Sequence, residues 1–149
     1  MAQGEATAIV VGPGEGTLAG ARGPLVKAFG DHSGGAWTVM ESEFPPETDG
    51  PIFHVHHKHG EGFYVIEGTM TVVLNDGELE VPAGSYAYIP PGVPHTFKNG
   101  ALEPLRFIGI AHAGVEHFLI EMNEALAAEG GPNVERLQEV CAKYDSYSA

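Results

Sequence analysis

Between Leu25 and His112 glycine and proline cut the chain into short apolar runs, and this punctuation restricts the fold more than any other feature. The runs are LVKAF (25–29), AWTVMESEF (36–44), IFHVH (52–56), EGFYVIE (61–67), TMTVVL (69–74), ELEV (78–81), SYAYI (85–89), HTFK (95–98) and LRFIGIAH (105–112). Each is too short for a helix of ordinary length, and most are rich in β-branched or aromatic residues. Many short strands at such spacing predict an all-β sandwich or barrel. Asn75-Asp76-Gly77 between two apolar runs predicts a hairpin. A further run, TAIVV (7–11), reads as an opening strand, and the glycine-rich connection after it reads as a loop. Its GPGEG has no Lys-Ser/Thr to make a phosphate loop.

After Gly114 the pattern changes to helix formers. VEHFLIEMNEALAAE and VERLQEVCAKY predict two helices, separated by Gly130-Gly131-Pro132, with Asn133 capping the second. Val134, Leu137, Val140, Cys141 and Tyr144 fall on one face, and both helices are expected outside the barrel or against a partner subunit. The 149 residues, without an internal repeat, read as one domain (1–149), the barrel over about 25–112 and the helices over about 114–144. A net charge of −13 argues against nucleic acid and anionic membranes as partners. No apolar run approaches the roughly 20 residues of a membrane span, and no secretory signal opens the chain, so a cytoplasmic protein is expected. The one cysteine, Cys141, excludes an intrachain disulfide and reads as a packing residue.

The chemistry concentrates in HVHHKHGE (54–61). His54 and His56 are two apart, so on a strand both imidazoles point to one face. Glu61 adds a carboxylate at the start of the next strand. His95, after the stiff Pro90-Pro91-Gly92-Val93-Pro94 turn, supplies a further imidazole. Three imidazoles and one carboxylate suit a divalent Fe, Mn, Ni, Co or Zn ion and leave positions open if six ligands are taken. His57 has the wrong parity and His59 lies in a connection. Both read as solvent-facing, with a proton shuttle or substitute ligand the sharper role for His59. Parity also groups Phe63, Val65 and Phe97 with the ligands. Tyr86, Tyr88, Met40 and Phe107 extend this set to an apolar pocket lining or, alternatively, a filled barrel. Such a lining favours a flat, apolar or aromatic ligand, and no cluster of basic residues is evident for phosphate.

The spacing resembles the two motifs of the cupin superfamily. The first, G-x5-H-x-H-x(3,4)-E-x6-G, is matched by His54, His56, Glu61 and Gly68, with Thr48 in place of the leading glycine and Gly50 two residues on. The second, G-x5-P-x-G-x2-H-x3-N, is matched by Gly84, Pro90, Gly92, His95 and Asn99. The resemblance spans residues 48–99 and implies a jelly-roll β-barrel, the double-stranded β-helix, with His54, His56, Glu61 and His95 as metal ligands.

AGVEHFLIEM after the barrel also resembles the quercetinase-type dioxygenases of that superfamily. The likeness implies ring opening of a flavonol or other enolised phenolic by dioxygen. It assigns one divalent transition metal (Fe, Ni, Mn or Co ahead of Zn) and Glu61 as both ligand and catalytic base. A second expectation is a polyketide cyclase or isomerase using the metal as a Lewis acid. A third is a non-catalytic small-molecule-binding cupin, whose hallmark of missing ligands is not met. Small cupins also form homodimers through sheet edges and N-terminal strands, which the resemblance extends to this chain.

Overall fold

Strand runs that alternate inward and outward side chains can share one core only as facing layers, and two antiparallel sheets result. The computed structural model describes residues 8–21 and 23–149. The elements begin with β1 (Thr17–Leu18), β2 (Leu25–Ala28), a 3-10 turn (Gly30–Ser33), β3 (Trp37–Phe44), β4 (Thr48–Asp49) and β5 (His54–Val55). Next come β6 (Glu61–Glu67), β7 (Thr69–Leu74), β8 (Gly77–Pro82), β9 (Tyr86–Ile89), β10 (His95–Asn99) and β11 (Leu105–His112). The chain continues through α1 (Val115–Leu126), α2 (Val134–Lys143) and β12 (Tyr147–Ser148). One sheet runs β1-β2-β3-β11-β6-β9 and the other β12-β5-β10-β7-β8, with β4 also paired to β10. This is the expected double-stranded β-helix followed by two helices.

The core between the sheets is apolar and aromatic. Phe63, Val65, Met70, Val72, Val81, Ile89, Leu105 and Phe107 are buried together, with Phe44 and Phe97 packed against them. Phe97 contacts Phe63, Phe107 and Phe44 at ring-centroid distances of 4.8, 5.7 and 5.9 Å, spacings at which aromatic pairs attract. Asn99, buried at the end of β10, donates its amide to the carbonyls of Phe44, Pro45 and Glu103, closing that end of the barrel.

A second cluster joins Ala19, Val26, Met40, Ala111 and Val115 to Phe29, Phe118, Leu119 and Ile120. Ala111 shares its parity with Leu105 and Phe107, so α1 covers the core side of the sheet, further along β11. For α1 this corrects the expectation of packing outside the barrel or against a partner subunit. Glu116, 2% exposed, fixes α1 in place by accepting from the Thr38 hydroxyl and the backbone amides of Gly30 and Gly114. Asn133 caps α2 as expected, accepting from the Arg136 amide at 3.0 Å.

The expected strand over 7–11 is not formed by residues 8–11, where Ile9 and Val10 are exposed and meet no partner strand, and Thr7 lies outside the described residues. IFHVH shortens to the two residues of β5, while β1, β4 and β12 are strands too short to carry a period. The Thr48 departure from the first motif also has an explanation. A Cβ at Gly50 would stand 2.0 Å from the Phe97 carbonyl oxygen, so the close approach that demands glycine falls at position 50.

Phe107 is a core residue on this evidence, and Phe107→Ala should cost about 3–5 kcal/mol. Tyr86→Ala, on the exposed outer face, should stay within about 0.5 kcal/mol. Urea denaturation of both variants checks the contrast, and a Phe107→Ala cost under about 1 kcal/mol would contradict the core assignment.

Candidate metal centre

The two sheets bring the four residues together from different elements. His54 on β5 and His95 on β10 are directly opposed across antiparallel strands, so their imidazoles leave the sheet side by side. Glu61 opens β6 in the facing sheet, two residues before the buried Phe63, and therefore points the same way. His56 follows β5, and its carbonyl accepts from the Gly92 amide at 2.7 Å. That bond ties the ligand segment to the turn before His95, where Gly92 adopts φ +82°, a value that favours glycine.

The outer nitrogens decide how the rings face. Nδ1 of His54 donates to the Ile52 carbonyl at 2.7 Å, Nδ1 of His95 to the Val93 carbonyl at 2.9 Å, and Nδ1 of His56 to the Asp145 carbonyl at 2.7 Å. A carbonyl only accepts, so each Nδ1 carries the hydrogen and each Nε2 is left to face inward. The Nε2 atoms of His54 and His56 lie 3.9 and 3.7 Å from Glu61 Oε1, and His95 Nε2 touches the same oxygen. One ligand atom from each residue lies within 4.8 Å of the others. Imidazole lone pairs and a carboxylate repel one another at this range unless a proton or a metal cation lies among them. The donor set, the fixed tautomers and the burial all fit a divalent ion, and these residues could hold one.

The electrostatics favour an anionic Glu61 and a neutral His54. Burial opposes the charge on Glu61, yet the neighbouring His56 and His95 hold its carboxyl down to about 2, so it is anionic at neutral pH. Burial pushes His54 below the ordinary imidazole range, toward the neutral form a metal needs. Burial opposes charge on His56 as well, but Glu61 and the Asp145 carbonyl raise it overall.

Beside Glu61 lies an open cleft of about 400 Å³, lined also by Tyr86, Tyr88, Ile110, His112 and His59 among others. Tyr86 and Tyr88 do not join Phe63 inside the barrel, as the pocket expectation had it. Tyr86 pairs with Tyr64 and Tyr88 with Gly62, so both rings stand on the outer face. Phe63, Val65, Phe97 and Phe107 fill the barrel themselves, and Met40 joins the cluster under α1. His57 is exposed, its ring 5.3 Å from Tyr147. His59 stacks on His112 at 3.8 Å and 13°, at the cleft wall and outside the ligand cluster.

Sequence reasoning missed Asp145. It follows a helix, far from either motif, and nothing in its local pattern points to the site. Its carboxylate accepts from the amides of His57 and Lys58 at 3.1 and 2.7 Å. Although burial works against the charge, those bonds hold its carboxyl below the usual range.

Two substitutions test the assignment. His54→Ala or His95→Ala, dialysed against a divalent metal and measured by elemental analysis, should lose the stoichiometric ion that the parent retains. Full occupancy at unaltered affinity in either would contradict it.

Known proteins resemble this chain in part. Residues 40–111 match the family described as the cupin domain. The chain is 29% identical over 87 residues to quercetin 2,3-dioxygenase of Bacillus subtilis, a match covering 58% of this chain and 26% of that protein. The polyketide cyclase RemF of Streptomyces resistomycificus superposes with a TM-score of 0.54 at 26% identity, covering 64% of this chain and 68% of the other. A sugar phosphate isomerase of the cupin superfamily from Silicibacter pomeroyi gives 0.52 at 25% identity, over 60% and 59%. The chain spans 53% and 26% of the lengths of the curated relatives it matches. Family match, sheet topology and the four-residue cluster agree: residues 40–111 match the cupin domain, and the chain resembles the quercetinase-type proteins.

Proposed function

We propose that the protein is a metal-dependent dioxygenase acting on a flavonol-like or other enolisable aromatic molecule. The observation that carries this reading is the convergence of three Nε2 atoms on one oxygen of Glu61, at the edge of an aromatic cleft. When bound, a divalent ion held by His54, His56, Glu61 and His95 supplies Lewis acidity and, if it is Fe, Ni, Mn or Co, a place for dioxygen. The chain's own residues do the rest. Tyr86, Tyr88 and Ile110 offer flat apolar surface to a planar ring. The ion pairs between Glu61 and the histidines run to Oε1, and no hydrogen bond among the described residues engages Oε2. That second oxygen is the base that takes the enol proton as substrate enters. The filled aromatic interior beneath the site keeps water from that side.

Likeness to a polyketide cyclase supports a second reading, in which the same site polarises a carbonyl without redox change. The isomerase likeness has less support from the site. Lys27 donates to the carbonyls of Gly12 and Glu15, Lys98 pairs with Glu78, and Arg106 pairs with Glu41 and Glu67. Lys58 is the cation lining the cleft, a poor set for a phosphate. The proposal extends to residues 1–149 as one domain, supported by the core that α1 shares with β2, β3 and β11. It extends also to a cytoplasmic homodimer. No helix of the described residues is long and apolar enough to cross a membrane, and light scattering reads the assembly.

Incubating protein loaded with Fe, Mn, Ni or Co with a flavonol panel, in air and under argon, tests the reaction. Dioxygen uptake matching substrate loss, and none under argon, is expected. Turnover that persists under argon favours the cyclase, and no turnover of any flavonol in a fully loaded sample contradicts the dioxygenase. Tyr88→Ala should raise KM several-fold while leaving kcat nearly unchanged, as the loss of a binding surface requires.

A further inference from the structure

The three imidazoles are not oriented in the same way. His54 and His95 each donate to a carbonyl two residues back in their own segment, Ile52 and Val93. These bonds form wherever the local turn forms. The acceptor for His56 is the carbonyl of Asp145, 89 residues further along the chain. His56 is therefore the one ligand candidate whose ring depends on a distant segment.

That segment is held along its length. Before it, Tyr144 and Lys143 both donate to Glu121 of α1 at 2.6 Å, and the Ser146 amide donates to the Cys141 carbonyl at 2.9 Å. At its first residue the Asp145 carboxylate bridges the consecutive amides of His57 and Lys58, one oxygen to each. After it, β12 pairs with β5, Tyr147 opposite Val55 and Ser148 opposite His54, and the Ala149 amide donates to the Phe53 carbonyl at 3.2 Å. Asp145 takes φ +57°, a left-handed conformation that a residue other than glycine adopts at some cost. This conformation lets one residue present its carbonyl to His56 and its carboxylate to the two amides that follow.

We propose that residues 145–149 form a strap that orients His56 for the metal, with Asp145 as the positioning residue. The strap holds the ligand-bearing segment from both sides, by backbone pairing along β5 and by the carboxylate bridge just beyond it. The inference rests on the reading of His54, His56, Glu61 and His95 as the metal site. It adds a residue that touches neither ion nor substrate. Outer partners that fix a ligating histidine are typically worth about 10–100-fold in metal affinity. His54 and His95 keep their own local bonds and Glu61 its place on β6, so binding should weaken and not vanish.

Cobalt(II) titration of the full chain, followed by visible absorption and by competition with a chelator, tests this with three variants. Asp145→Gly keeps the left-handed turn accessible and removes the carboxylate. Asp145→Asn also tolerates that conformation and retains one acceptor oxygen. Val140→Ala, within α2 and fully buried, lowers stability while leaving every hydrogen-bonding group of the strap unchanged. Cobalt affinity should fall roughly 10-fold or more in Asp145→Gly and by less in Asp145→Asn, with a changed absorption band. Val140→Ala should lower the melting temperature while keeping the parent's affinity and spectrum. Parent-like affinity and spectrum in Asp145→Gly would overturn the strap, as would an equal loss of affinity in Val140→Ala. A parent protein that binds no cobalt would overturn the metal site itself, and the strap with it.

Discussion

Three hydrogen bonds on the outer side of the histidine cluster set the chemistry of the inner side. An imidazole has two nitrogens, and a neutral ring can offer a lone pair from only one of them. Because Ile52, Val93 and Asp145 each present a carbonyl to an Nδ1, that choice is removed at His54, His95 and His56. The three Nε2 atoms then face Glu61, whose carboxylate stays charged despite its burial. Remove the carbonyls and the same four residues become a set of rings free to turn, with no common point of convergence.

The rest of the fold maintains that convergence. His54 and His95 are held side by side by strand register, and Glu61 is held opposite them by the packing of two sheets. Phe63 and Phe97 lie two residues inward from Glu61 and His95, so the ligand strands are seated on a dense aromatic cluster. This cluster fills the space a deep substrate pocket would need. Beside Glu61 the structure leaves an open cleft lined by Tyr86, Tyr88, Ile110 and the stacked His59–His112 pair.

Much of this was legible in the sequence because the motifs are short-range. The parity of His54 and His56, the Glu61 spacing and the stiff turn before His95 are all read within a few residues of the ligands. Long strands such as β6, β7 and β11 were also legible, their boundaries matching the runs 61–67, 69–74 and 105–112. Strands of two residues carry no period, so β1, β4 and β12 were not. Parity grouped Tyr86 and Tyr88 loosely with the pocket because it fixes alternation and leaves register open. Only pairing with Tyr64 and Gly62 puts them outside. Asp145 was illegible for a different reason: its contacts with His56, His57 and Lys58 are entirely long-range.

The central claim is that a single metal ion is held by the three Nε2 atoms and the carboxylate. A crystal of the metal-loaded protein, measured on both sides of the metal's absorption edge, tests it directly. The account predicts one strong anomalous peak per chain, about 2.0–2.2 Å from Nε2 of His54, His56 and His95 and from an oxygen of Glu61. A principal peak at His57 or at the His59–His112 pair, with the four residues bare, would contradict it.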